Sequence, residues 1–255
     1  MQNQIAVADE PLENLISVEE LRARIRFYHL LAGAFVEEPG DGYLAAMRAP
    51  LAMAALSELG VNFEADFTDV SLHELVDTLA CEYATLFVTS GGCPPVESVR
   101  LTGRFQQQPY NDVKATYKRC GFELQQGKYA VFEDQLGVEL SFVAALLERQ
   151  TALLESGDIA AANRLDKEVK RFWATHLGCW VRGFSTLLER MTLHSFYREM
   201  ARMLYAFTEN ELVVLKVRVD DIDGGRNIVP KSEISVLFNP DEPVCGSCEH
   251  GKTHA

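Results

Sequence analysis

The chain has 255 residues, 47 per cent of them hydrophobic, and a formal net charge of −13. That is enough chain for one large domain or two small ones with a substantial core, and too apolar for a disordered protein. The acidity argues against nucleic acid as the main partner, because phosphate binding needs an excess of Lys and Arg, and it suits a basic peptide or protein.

The predicted elements are helical almost throughout. Ser17-x-x-Glu20 is a capping box, and Leu21, Ile25, Tyr28, Leu31 and Phe35 then recur at spacings of three and four, one face of a helix ending before Pro39-Gly40. One or two short helices are expected around Pro50, with Leu51, Ala55 and Leu59 in phase. Ser71-x-x-Glu74 opens another helix that carries Leu72, Leu75, Leu79, Tyr83 and Leu86. It stops at Gly91-Gly92 and Pro94-Pro95: the glycines permit positive φ and the prolines stiffen the exit.

Pro109 starts the next helix, with Val113, Tyr117 and Cys120 on its apolar stripe and Gly121 at its end. The longest pattern carries Leu136, Leu140, Val143, Leu147 and Leu154, with the acidic Glu133-Asp134 and Gln135 at its N-terminus. Asp158 caps a helix through Val169, Phe172 and Trp173; a break is expected near His176–Gly178 before Trp180, Val181, Phe184 and Leu188. A last strong helix carries Leu193, Tyr197, Met200, Leu204 and Phe207. In ELVVLKVRV the β-branched residues suit a strand, but Thr208-x-x-Glu211 is a helix-start signal, and helix is the reading adopted.

The expected fold is therefore all-α: a single bundle-like domain of about eight to ten helices over residues 17–223, with an N-terminal extension over 1–16 and an irregular tail over 224–255. No βαβ pattern is present, and no Walker, dinucleotide-binding, H-E-x-x-H or G-x-S-x-G motif. No apolar run approaches the roughly 20 residues that span a bilayer, and the N-terminus lacks a basic region followed by an apolar one, so a cytoplasmic location without membrane insertion is expected. Cys81, Cys93, Cys120 and Cys179, set among apolar residues, are expected to be small buried hydrophobes.

Read alone, each candidate constellation has a structural and a functional reading. The junction Tyr83, Leu86, Phe87, then Pro94, Pro95, Glu97 and Ser98 either ends one helix and starts another, or sets backbone donors and acceptors beside an apolar surface, as peptide recognition needs. Asp134 and Gln135 either cap a helix or offer a carboxylate to a guanidinium. His176 and Trp180, one helical turn apart, are core or contact residues.

In order along the chain, Glu82-Tyr83-x-x-Leu86-Phe87, Pro94-Pro95 and Ser98, Val113-x-x-x-Tyr117-x-x-x-Gly121, Glu139-Leu140-x-Phe142 and Phe172-x-x-x-His176-Leu177-x-x-Trp180 resemble the TorD/DmsD/NarJ family of redox-enzyme maturation chaperones. The resemblance covers roughly residues 20 to 210. It implies an all-helical chaperone without catalytic turnover or a required cofactor. Such a protein binds a molybdopterin oxidoreductase catalytic subunit, through its twin-arginine signal peptide or its mature part, and holds it until the molybdenum cofactor is inserted. A homodimer formed by helix exchange is compatible with it. Under this resemblance the junction and Asp134 become a peptide groove, and Asp134→Ala is expected to weaken peptide binding without disturbing the fold. The family's Pro-Asp-His before the long helix is Glu133-Asp134-Gln135 here, so only the aspartate's role carries over.

Outside the resemblance lies 245-CGSCEHGKTHA-255. Cys245, Cys248, His250 and His254 are donors suited to zinc or an iron–sulfur cluster, although one residue between Cys248 and His250 leaves little chain to wrap a single ion. A metal- or redox-responsive helical protein working through this tail is the alternative expectation.

Overall fold

The computed structural model describes residues 17–89, 91–125 and 131–226. The order is α1 (Val18–Phe35), α2 (Asp41–Met47), α3 (Pro50–Glu58), α4 (Ala65–Thr68), α5 (Leu72–Tyr83), α6 (Glu97–Thr102), α7 (Gln108–Arg119), α8 (Leu136–Glu155), α9 (Ile159–Thr175), α10 (Val181–Met191) and α11 (Ser195–Val214). No strand occurs among the described residues; a single antiparallel bridge joins Val96 and Gln135. The count runs past ten because α4 and α6, only four and six residues long, are too short to leave a periodic signature.

Start signals read from the sequence act as caps. Ser17 and Glu20 close a full reciprocal box on α1, Ser71 accepts from the Glu74 amide on α5, and Asp158 accepts from the Ala161 amide on α9. Thr208-x-x-Glu211 starts nothing. α11 runs unbroken through it, because Thr208 turns its hydroxyl back to the Leu204 carbonyl and Glu211 is committed to an ion pair, and the helix ends before Val217.

The long helices pack α1 on α8, α8 on α9 and α10 on α11. Their shared core holds Tyr28, Phe35, Trp173, Trp180, Phe184, Phe196 and Tyr197. Of the cysteines, Cys93 and Cys179 are buried as expected, Cys120 is half-buried, and Cys81 is exposed because it sits on the outward face of α5. The stripe Leu51, Ala55 and Leu59 also faces outward: Leu51 is 85% and Leu59 57% exposed, and Leu56 alone on α3 is buried. No helix among the described residues is long and apolar enough to cross a membrane.

Candidate functional site

The end of α5 passes into a π-helical turn, Ala84–Val88. Thr89 is extended, Gly91 takes φ +87°, and the Cys93 amide donates back to the Leu86 carbonyl at 2.6 Å. Gly92 cannot carry a side chain here: a Cβ would stand 2.4 Å from the Leu86 oxygen. The reversed chain then lies along the start of α8. The Leu136 amide donates to the Pro95 carbonyl at 2.8 Å, the Glu97 amide to the Asp134 carbonyl at 2.8 Å, and the Ser98 amide to Asp134 Oδ2 at 2.9 Å.

The expected client-binding residues do come together, but inside the molecule. Leu86, Phe87, Pro95, Glu97, Ser98, Asp134, Gln135, His176 and Trp180 are buried, and only Tyr83 and Pro94 are half-buried. They stitch α1, α5, α6 and α8 into one frame. Tyr83 Oη and Gln135 Nε2 both donate to the Phe35 carbonyl, answering an acceptor that the end of α1 leaves open. Gln135 also caps α8 through the Val138 amide. Removing the Asp134 side chain would strip the Ser98 amide of its acceptor, so the substitution reaches the fold as well as any ligand.

Behind this frame is a buried acidic cluster. His176, at the abrupt end of α9, sets Nδ1 3.0 Å from Glu97 Oε2. Glu139 is fully buried one turn into α8, against the Glu97 carboxyl and the Trp180 indole. Burial, and then the Glu97 and Asp134 carboxylates, push its carboxyl well above the usual range. Burial and then Glu139 and Asp134 raise the neighbouring Tyr117 phenol, whose hydroxyl donates to the Glu133 carbonyl at 2.9 Å.

The open, apolar surface lies elsewhere. A cleft of about 630 Å³ runs between α1, the turn after α3 and α11, lined by Ala23, Phe27, Leu59, Met203, Phe207 and Val214 among others. A second hollow of about 340 Å³, against Leu30, Tyr43 and Ala55, shares Phe27 and Leu59 with it. The two hollows adjoin at Phe27 and Leu59 and together make an apolar trough, with Ala55 and Leu59 of the α3 stripe on its border. Two of its arginines are neutralised within the chain, Arg24 by Glu211 at 2.6 Å and Arg202 by Glu189 and Glu199 at 2.7 Å each, while the exposed Arg26 stands 4.0 Å from Glu19.

Sequence reasoning missed the floor of this trough. Arg24 Nε and Nη2 grip Glu211 in a buried fork; Tyr28 Oη donates to Glu211 Oε2 at 2.6 Å and accepts from the Trp173 indole at 2.8 Å. The signal was available. Arg24 stands three residues after Leu21 and four before Tyr28, a charge inside an apolar stripe, and a buried charge demands a partner. Glu82, quoted above only as part of a motif, accepts from Thr192 Oγ1 and the Leu193 and His194 amides at 2.6, 2.8 and 3.0 Å, and so fixes the turn between α10 and α11.

Cys245, Cys248, His250 and His254 lie outside the described residues. Within the described residues no group of three or more His, Cys, Asp or Glu side chains is arranged to hold a metal ion.

The described residues thus form an all-helical scaffold with a buried polar frame and an apolar trough at its surface. The chain matches the nitrate reductase delta subunit family over residues 45–186 and belongs to that family, whose members are redox-enzyme maturation chaperones of the NarJ/TorD type. No match was found among the curated proteins compared.

Proposed function

We propose that this protein is a maturation chaperone that holds the catalytic subunit of a molybdopterin oxidoreductase until its molybdenum cofactor is inserted, and that it does so by seating an amphipathic terminal segment of that subunit, such as a twin-arginine signal peptide, in the trough between α1, α3 and α11. The observation that carries this reading is the trough itself: adjoining apolar hollows of about 630 and 340 Å³ with the outward-facing Ala55 and Leu59 of α3 along one bank. Charge supports it. Arg24 and Arg202 in the trough are paired internally, Glu20 lies on its wall, and the chain's net charge of −13 draws in a segment whose other face is basic.

In this reading the Tyr83–Ser98 junction, Asp134 and His176 act as the frame that fixes α1 and α8, with Tyr83 and Pro94 the members within a client's reach. Co-expression tests the function. The tagged chain is expected to retain a catalytic subunit that lacks the cofactor and to release the loaded one. Equal retention of both forms would contradict holding until insertion.

A further inference from the structure

Beyond α11 the chain reverses at Lys216, whose φ is +55°, and returns across α6 and the N-terminus of α10. Polar contacts attach it. The Val219 carbonyl accepts from Arg182 Nη2 at 2.6 Å, Asp221 Oδ2 from the Gly183 amide at 2.8 Å, and the Gly225 carbonyl from Arg190 Nη2 at 2.8 Å; the Ile222 amide donates to the Cys179 carbonyl at 2.6 Å. Its central clasp is Asp223, whose Oδ1 lies 2.6 Å from Arg100 Nη2 with both side chains buried. Arg100 reaches on to the Arg226 carbonyl at 2.9 Å, yet its Nε and Nη1 have no partner.

Two features make this attachment conditional. Val217 and Val219 still pack against the core, but beyond them Asp223 alone among residues 220–226 is buried and Ile222 is 57% exposed, so little apolar area holds residues 220–226 down. Gly183 must be bare beneath it: a Cβ there would stand 2.6 Å from Asp221 Oδ1 and from the Gly225 nitrogen. The attachment points neighbour the acidic cluster. Arg100 shares α6 with Glu97 and Ser98, and Cys179 lies in the short turn between His176 and Trp180.

We propose that residues 220–226 are a releasable strap, clasped by Arg100 and Asp223, whose release acts on the frame around Glu97 and His176. The coupling rests on the client-holding role proposed above; the release does not.

Hydrogen exchange on the full chain tests both parts. In Asp223→Asn, the Ile222 amide is expected to exchange about tenfold faster while amides of α1 and α8 keep their rates, the mark of a local opening. Gly183→Ala, which displaces the strap with Arg100 intact, is expected to do the same. Unchanged exchange at Ile222 in both variants, or a rise spread equally over the whole chain, would overturn release. Calorimetry with a synthetic twin-arginine signal peptide then reads the coupling: affinity shifts by about threefold or more in both variants if the strap acts on the frame. Wild-type affinity in variants whose strap has opened would overturn the coupling. Failure of the wild-type chain to bind the peptide would overturn the coupling to that peptide and leave release to be decided by exchange.

Discussion

Glu97 and His176, 79 positions apart in the chain, meet at 3.0 Å with their side chains almost wholly removed from solvent. A carboxylate and an imidazole in that setting hold α6 to the end of α9. They also explain why the Gly/Pro break after α5 is so sharp. The chain must reverse within a few residues to bring Glu97 and Ser98 against Asp134, and only bare backbone at Gly92 passes the Leu86 carbonyl.

His176→Ala leaves Glu97 buried without its hydrogen-bond partner, and an unsatisfied buried acceptor costs about 2 kcal/mol. Urea unfolding of the variant at neutral pH is expected to show a loss of that order. A loss below about 0.5 kcal/mol, the size of a surface change, would remove the pair from the account.

Glu139 gives a pH signature of definite sign. In the unfolded chain its proton leaves near pH 4.3, whereas burial with Glu97 and Asp134 keeps it on the folded protein to well above that. Over that interval the native state binds more protons than the unfolded state, so the group lowers stability as pH rises. Glu139→Gln, which keeps the shape and removes the titration, is expected to reduce the fall in stability between roughly pH 5 and pH 8. Asp134 and Asp223, also raised by burial, leave a smaller slope behind. A variant with the wild-type slope would show that Glu139 ionises normally.

Glu82→Ala removes one acceptor from three donors in the turn between α10 and α11. Hydrogen bonds to a charged group make this worth about 2 kcal/mol, with faster exchange confined first to the Leu193 and His194 amides. Thermal unfolding and exchange at those two amides check it; unchanged exchange at both would mean that other contacts hold the turn.

Much of the fold was legible because caps and apolar spacing are local signals. Ser17, Ser71 and Asp158 each cap the helix they announce. The short helices α4 and α6 were invisible because fewer than two turns carry no period. At Thr208 the start signal misled: the same residue types serve inside α11 as a back-bonded hydroxyl and a buried ion-pair partner. For the site, the motifs found the right residues and could not give their depth. Spacing tells which side chains share a face, and burial depends on what packs against that face. Leu51 and Leu59 show the converse, since a stripe with core periodicity stands in solvent where no helix covers it.

The trough as the client's seat is the claim that matters most, and Leu59 tests it most directly. Leu59 borders both halves of the trough and is 57% exposed, so Leu59→Arg changes the channel without opening the core. Calorimetric titration with a synthetic terminal segment of a molybdopterin oxidoreductase catalytic subunit is expected to show binding to the wild-type chain. In Leu59→Arg, with unaltered thermal unfolding, the affinity is expected to be at least about tenfold weaker, the cost of a charge set in an apolar contact. Equal affinity for the two chains would contradict the account and move the client to another surface.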